Sequence, residues 1–146
     1  MAKMHKPFIL VAEDDSDDKF LLQTIFEERS VDIPLAFVSN GVELLDYLNT
    51  IKDDEQNLSY PVFILLDLNM PKMDGRQALK YLKESDHFKK IPVIVFSTTK
   101  NDIEIKRCYE LGANTYIVKP SNFQSLSNAI ESIHTYWFSI AEVPTK

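Results

Sequence analysis

At 146 residues the chain has the length of one globular domain, too short for a catalytic domain joined to a separate effector domain. With 45% hydrophobic and 26% charged residues it has the balance of a chain that buries a core. A net charge of −6 without any Lys/Arg run disfavours nucleic-acid binding, and the lone cysteine, Cys108, excludes an intramolecular disulfide or a multi-thiolate zinc site.

Phe8 to Ala12 is an unbroken apolar run between Pro7 and a cluster of acids, the signature of a strand buried on both faces. The run is too short for a signal-peptide core or a membrane span, and the single thiol suits a reducing compartment. A cytoplasmic protein without a membrane partner is therefore expected. Ser16 can cap a helix carrying Leu21, Leu22, Ile25 and Phe26 at helical spacing. Leu35 to Val38 is a second strand; after Asn40-Gly41, residues Leu44, Leu45, Leu48 and Ile51 mark a second helix, and Lys52 to Tyr60 read as a polar loop.

Val62 to Leu66 is the most apolar strand, and it ends abruptly at Asp67. Loop residues Asn69 to Gly75 lead into a helix with Ala78, Leu79 and Leu82, followed by a strand from Val93 to Phe96. A fourth helix runs from Asn101-Asp102 through Leu111 and stops at Gly112; a fifth strand, Thr115 to Val118, meets Lys119-Pro120. The last helix is expected from Phe123 to about Ile140, with Phe123, Leu126, Ile130, Ile133, Trp137 and Ile140 on one core-facing stripe.

Five strand–helix units with non-alternating strands predict an α/β fold with a parallel sheet covered on both sides, a flavodoxin-like (βα)5 three-layer sandwich of strand order 2-1-3-4-5. One domain over residues 1–146 is expected, with its core at about 7–133 and a helical extension over about 134–146. In such sheets the ligand site lies at the carboxyl ends of the strands, where strand order reverses between the first and third.

That rule gathers Glu13-Asp14-Asp15, Asp67, Ser97-Thr98 and Lys119 at one edge. Clustered carboxylates repel one another unless a hard divalent cation neutralises them, and magnesium, or manganese in its place, suits oxygen donors. Beside such a cation Asp67 can act as a nucleophile toward phosphorus, with Lys119 supplying a point charge and Ser97 a hydroxyl donor.

The strings ILVAEDDSDD, FILLDLNMPKMDG, PVIVFSTT and GANTYIVKP, in this order and spacing, resemble the receiver domain of bacterial two-component response regulators over Phe8 to about Ile133. The resemblance implies Asp67 as phosphoacceptor and a magnesium site formed by Glu13, Asp14, Asp67 and the Asn69 backbone carbonyl. It further implies Lys119 as the phosphoryl-contacting lysine, Ser97 as the switch hydroxyl with Thr98 after it, and Tyr116 as the aromatic whose rotamer follows phosphorylation. Glu13 and Ser97 stand where Asp and Thr are commoner, so Glu13 has reach enough to act through a metal-bound water. Without an output domain, the implied protein is a stand-alone, non-turnover switch accepting phosphoryl from a sensor histidine kinase and changing its binding to a downstream protein. The long Lys52 to Tyr60 loop and the tail IESIHTYWFSIAEVP are similar to small regulators that partner phytochrome-type histidine kinases.

Plainer readings compete residue by residue. Asp17 and Asp18 are assigned to a solvated acidic face favoured by the helix dipole. Cys108 reads as a small helix residue, and His5, His87 and His134 as separate surface positions without a metal. Tyr136 and Phe138 fall off the last helix's stripe, so Tyr136, Trp137 and Phe138 form a candidate partner or homodimer surface, against the alternative of a tail folded back on the domain. A phosphatase using an aspartyl phosphate would need a second carboxylate where Asn69 stands. A flavodoxin would need a phosphate loop where Glu13-Asp14-Asp15 repels phosphate. An unphosphorylated scaffold would have no use for the acceptor, acidic pair, hydroxyl and lysine together.

Overall fold

The computed structural model describes residues 7–56, 59–144 and 146; His5, Asn57 and Leu58 of the expected loop, and Thr145 of the tail lie outside the described residues. Five strands, β1 (Ile9–Ala12), β2 (Leu35–Val38), β3 (Ile64–Leu66), β4 (Val93–Ser97) and β5 (Thr115–Val118), form one parallel sheet of order β2-β1-β3-β4-β5. Five α-helices alternate with them: α1 (Ser16–Glu28), α2 (Gly41–Asp53), α3 (Gly75–Glu84), α4 (Asp102–Glu110) and α5 (Phe123–Thr135). The expected order and alternation are those observed.

Successive strand residues point to opposite faces, and here both faces are apolar. Leu10, Ile64, Leu66, Val93 and Val95 pack with α2, α3 and Cys108 of α4 on one side. Ile9, Val11, Leu65, Ile94 and Phe96 pack with Leu22 and Ile25 of α1 and Ile130 and Ile133 of α5 on the other. The result is a three-layer sandwich. The outermost β5 is half-buried throughout, unlike the fully buried β1, β3 and β4, because no strand covers its far edge.

Several boundaries differ from the sequence reading. Asp15, not Ser16, caps α1: its carboxylate accepts from the amides of Asp17 and Asp18, and Ser16 becomes the first helical residue. Helix α2 extends through Asp53, so Lys52 and Asp53 belong to it rather than to the loop. Val62 and Phe63 are buried but precede the paired part of β3.

The largest departure is at the end of α5. From Tyr136 to Ile140 the chain winds as a π-helix, which widens the turn, and the Ala141 amide donates to the Tyr136 carbonyl five residues back at 2.7 Å. The wider turn brings Phe138 against the core and turns Ile140 outward, 68% exposed, where an uninterrupted helix would keep Ile140 on the core stripe. Trp137 and Phe138 pack on Phe63 with ring centroids 6.1 and 6.2 Å away, and His134 stacks on Phe138 at 5.2 Å. Val143 packs against the same cluster, and Lys146 donates to the carbonyls of Ile51 and Asp54 at the end of α2. The described tail thus lies against the chain's own body, at the amino ends of the strands.

Candidate functional site

Five polar or charged residues are buried among the described ones: Glu13, Asn40, Asp67, Ser97 and Ser127. Two have structural duties. Asn40 caps α2, and Ser127 accepts from Arg29, which ties α1 to α5. The other three all sit at carboxyl ends of strands, where burying a polar group needs a compensating partner.

The ladder itself sets their positions. Ala12 pairs with Leu66, so the next residues, Glu13 and Asp67, emerge from adjacent strands. The Glu13 amide donates to Val38 at 2.9 Å, that of Asp67 to Ala12 at 3.0 Å, and that of Lys119 to Ser97 at 2.8 Å. Glu13, Asp67 and Lys119 are therefore each one step beyond a strand while the amide remains pinned to a neighbour, and Ser97 is the last residue of β4. Below Asp67, Gly75 approaches so closely that a Cβ there would lie 2.2 Å from the Asp67 carbonyl oxygen, so only glycine allows α3 to begin under Asp67.

Carboxylate oxygens of Glu13, Asp14 and Asp67 converge within 4.8 Å of one another, with Asp14 exposed and the other two buried. Three hard oxygen donors with one side open to water fit a cation that keeps part of its hydration shell. Lys119 Nζ lies 3.4 Å from both Glu13 oxygens, 3.8 Å from Asp67 Oδ2 and 3.1 Å from Asp18 Oδ2. The surrounding carboxylates outweigh the effect of burial and keep this lysine protonated, above its ordinary value. Burial pushes the Glu13 carboxyl up to about 9, helped by hydrogen bonding with Asp67 and Asp18 and opposed by Lys119.

Asp18 does not lie on the solvated face expected for it from the sequence. Half-buried, it turns from the first turn of α1 onto Lys119; burial opposes its charge, but hydrogen bonds with Glu13 and Lys119 prevail and hold it below its ordinary value. Asp17 is exposed as expected. No sequence signal separated the two, because a helix positions Asp18 three residues beyond its cap and only the fold brings Lys119 there. A cavity of about 220 Å³ opens beside these groups, lined on its polar side by Glu13, Asp18, Asp67 and Lys119 and on its apolar side by Leu21 and Leu126.

Ser97 is fully buried at the end of β4, and its Oγ accepts from the Thr99 amide at 3.3 Å. Thr98 is exposed and lines the cavity. Tyr116 is half-buried, its hydroxyl donating to the Thr99 carbonyl at 2.8 Å, while the Tyr109 hydroxyl accepts from its amide at 3.0 Å. Asn69 is exposed, its amide 3.4 Å from Asp67 Oδ1. Tyr136, Trp137 and Phe138 lie at the opposite end of the sheet. Cys108 is buried in the core, His87 is exposed, and among the described residues no helix is long and apolar enough to cross a membrane.

The chain resembles known proteins over nearly its whole length. A family model, the response regulator receiver domain, matches residues 9–131. The response regulator Rcp1 of Synechocystis sp. is 32% identical over 136 residues, 93% of this chain and 92% of that one. A manganese-bound crystal form of Rcp1 superposes with a TM-score of 0.82, covering 94% of this chain and 99% of that one. The phosphorylated cyanobacterial phytochrome response regulator RcpA is 36% identical with a TM-score of 0.85, covering 96% and 99% of the two chains. The response regulator RPA3017, from red light signalling in R. palustris, is 37% identical with a TM-score of 0.86 at the same coverage. Sheet order, strand-end acids and matched length agree, and the chain belongs to the response regulator receiver domain family of two-component signalling.

Proposed function

We propose that this receiver is a phosphorylation-activated switch that accepts a phosphoryl group on Asp67 from a histidine kinase. The observation that carries the reading is the setting of Asp67: buried at the end of a central strand, among the oxygens of Glu13 and Asp14, with Lys119 at 3.8 Å. In the transfer, an Asp67 oxygen bonds to phosphorus as the donor's nitrogen–phosphorus bond breaks, and the electron pair leaves with the imidazole. Glu13, Asp14, Asp67 and the Asn69 carbonyl are the residues that would hold Mg2+, or Mn2+ as in the Rcp1 crystal form. The cation would neutralise charge among these oxygens.

Lys119 provides a second cation at the acceptor, and the Ser97 hydroxyl donates to another phosphoryl oxygen. Phosphorylation adds roughly 1.5 to 2 negative charges. Ser97, Thr98 and Tyr116 then shift together, and the face made by α4, β5 and α5 changes its affinity for a downstream protein. The protein is no turnover enzyme, since Asn69 stands where a phosphatase of this chemistry carries its acid–base carboxylate. An unphosphorylated scaffold remains the competing reading.

Likeness to RcpA and RPA3017 supports a phytochrome-type kinase as donor, and a cytoplasmic location is proposed with it. Self-association is the further proposal at the tail: with Trp137 and Phe138 partly used against Phe63, the exposed Tyr136 and Ile140 are the groups left for a second copy. A monomer by light scattering at high concentration, with and without a phosphoryl mimic, would contradict it.

The phosphoacceptor reading is tested by incubation with magnesium and acetyl phosphate followed by intact mass measurement. One phosphoryl adduct is expected on wild type and none on Asp67→Asn or in chelator. A folded wild type that binds magnesium yet takes no adduct would put the scaffold reading first.

A further inference from the structure

Lys119 has a partner that neither the acceptor nor the metal cluster requires. Its Nζ lies 3.1 Å from Asp18 Oδ2, nearer than either Glu13 oxygen at 3.4 Å or Asp67 at 3.8 Å. Asp18 is not among the three carboxylates that converge for a cation, so it stays available to Lys119 when those three are engaged. Its position is imposed by the helix: the Asp18 amide donates to Asp15 Oδ1 at 3.1 Å, and the first turn of α1 then aims the carboxylate into the cavity shared with Asp67 and Lys119.

We propose that Asp18 is a positioning residue that draws Lys119 away from the acceptor and thereby slows phosphoryl loss from Asp67. The inference rests on the phosphoacceptor role proposed for Asp67. Loss of the group forms a bond from water oxygen to phosphorus as the bond from phosphorus to the Asp67 oxygen breaks. The electron pair returns to the Asp67 carboxylate, inorganic phosphate departs, and the proton of the water passes to solvent. Negative charge develops on the Asp67 oxygen during that step, and an ammonium group brought against it lowers the barrier. Lys119 is that ammonium group, and the pull of Asp18 at 3.1 Å holds it 3.8 Å from Asp67, beyond hydrogen-bond contact.

The test measures the rate of phosphoryl loss by intact mass, in magnesium, after loading with acetyl phosphate. Asp18→Asn keeps the size and removes the charge; loss should quicken about two- to fivefold, the worth of a part-exposed ion pair. Asp18→Glu restores a carboxylate and should remain near the wild-type rate. In a Lys119→Ala background the Asp18→Asn change should have no effect, because its action passes through Lys119. An unchanged or slower rate in Asp18→Asn, equal acceleration in Asp18→Glu, or acceleration that persists without Lys119 would each overturn the proposal. If the Lys119→Ala chain takes too little phosphoryl to follow, the Asn and Glu comparison decides. A wild type without any adduct overturns the phosphoacceptor reading itself, whereas an adduct lost equally fast from wild type and Asp18→Asn overturns only the role of Asp18.

Discussion

The Tyr116 hydroxyl donates a 2.8 Å hydrogen bond to the Thr99 carbonyl, joining β5 to the loop that follows the buried Ser97. Because the Thr99 amide in turn donates to Ser97 Oγ, a movement of Ser97 toward a phosphoryl group pulls on this loop and on the tyrosine together. Tyr116→Phe should cost about 1 kcal/mol, the usual net worth of one hydrogen bond. Hydrogen exchange at residues 98–101 should quicken in the unphosphorylated variant, and protection there equal to wild type would show the bond to be idle.

Gly75→Ala tests the close approach beneath Asp67. Backbone atoms of Asp67 and Leu68 occupy the space a Cβ needs, so relief requires moving the acceptor or α3. A loss of about 2 to 3 kcal/mol is expected, at the upper end for overpacking. Urea unfolding reads the stability, and adduct formation on Asp67 should fall in parallel.

Glu13→Gln changes how the metal-free protein responds to pH. In the folded chain Glu13 keeps its proton up to about 9, against an ordinary 4.5, because burial opposes its charge. Between those values the folded state holds a proton that the unfolded chain has released, so this group's contribution to stability is present below about 4.5 and is lost as pH rises toward about 9. The Gln variant has no such proton, and its metal-free Tm should decline less from pH 5 to pH 9. Magnesium reverses the ranking: at 100 times its Kd it stabilises the wild type by about 2.7 kcal/mol. The same concentration should raise the Tm of Glu13→Gln less. Equal pH slopes in wild type and variant would contradict the assignment.

Phe138→Ala and Ile140→Ala together test the π-turn. With Phe138 against Phe63 and Ile140 in solvent, the first should cost about 2 kcal/mol, below the 3 to 5 of a fully buried aromatic, and the second less than about 0.5. An uninterrupted helix would reverse the order, and denaturant midpoints distinguish the two.

Much of the fold and part of the site were legible in the sequence. Strands buried on both faces are written as unbroken apolar runs, and a charged residue can follow such a run only where the strand leaves the core, as Asp67 follows Leu66. Placement of Glu13, Asp14 and Asp67 at one edge then follows from parallel connections that bring every strand's carboxyl end to the same side. Tertiary structure alone decided what depends on contacts between elements distant in the chain. Asp17 and Asp18 are chemically alike in the sequence, yet Asp18 meets Lys119, 101 positions away, because Lys119 reaches from the end of β5 into the cavity that the first turn of α1 borders. The π-turn was invisible for a related reason: α-helical periodicity assumes a constant turn, whereas packing of Trp137 and Phe138 on Phe63 favours a wider one. Local chemistry thus determined which residues leave the core at each strand end, and long-range packing determined which of them meet Lys119.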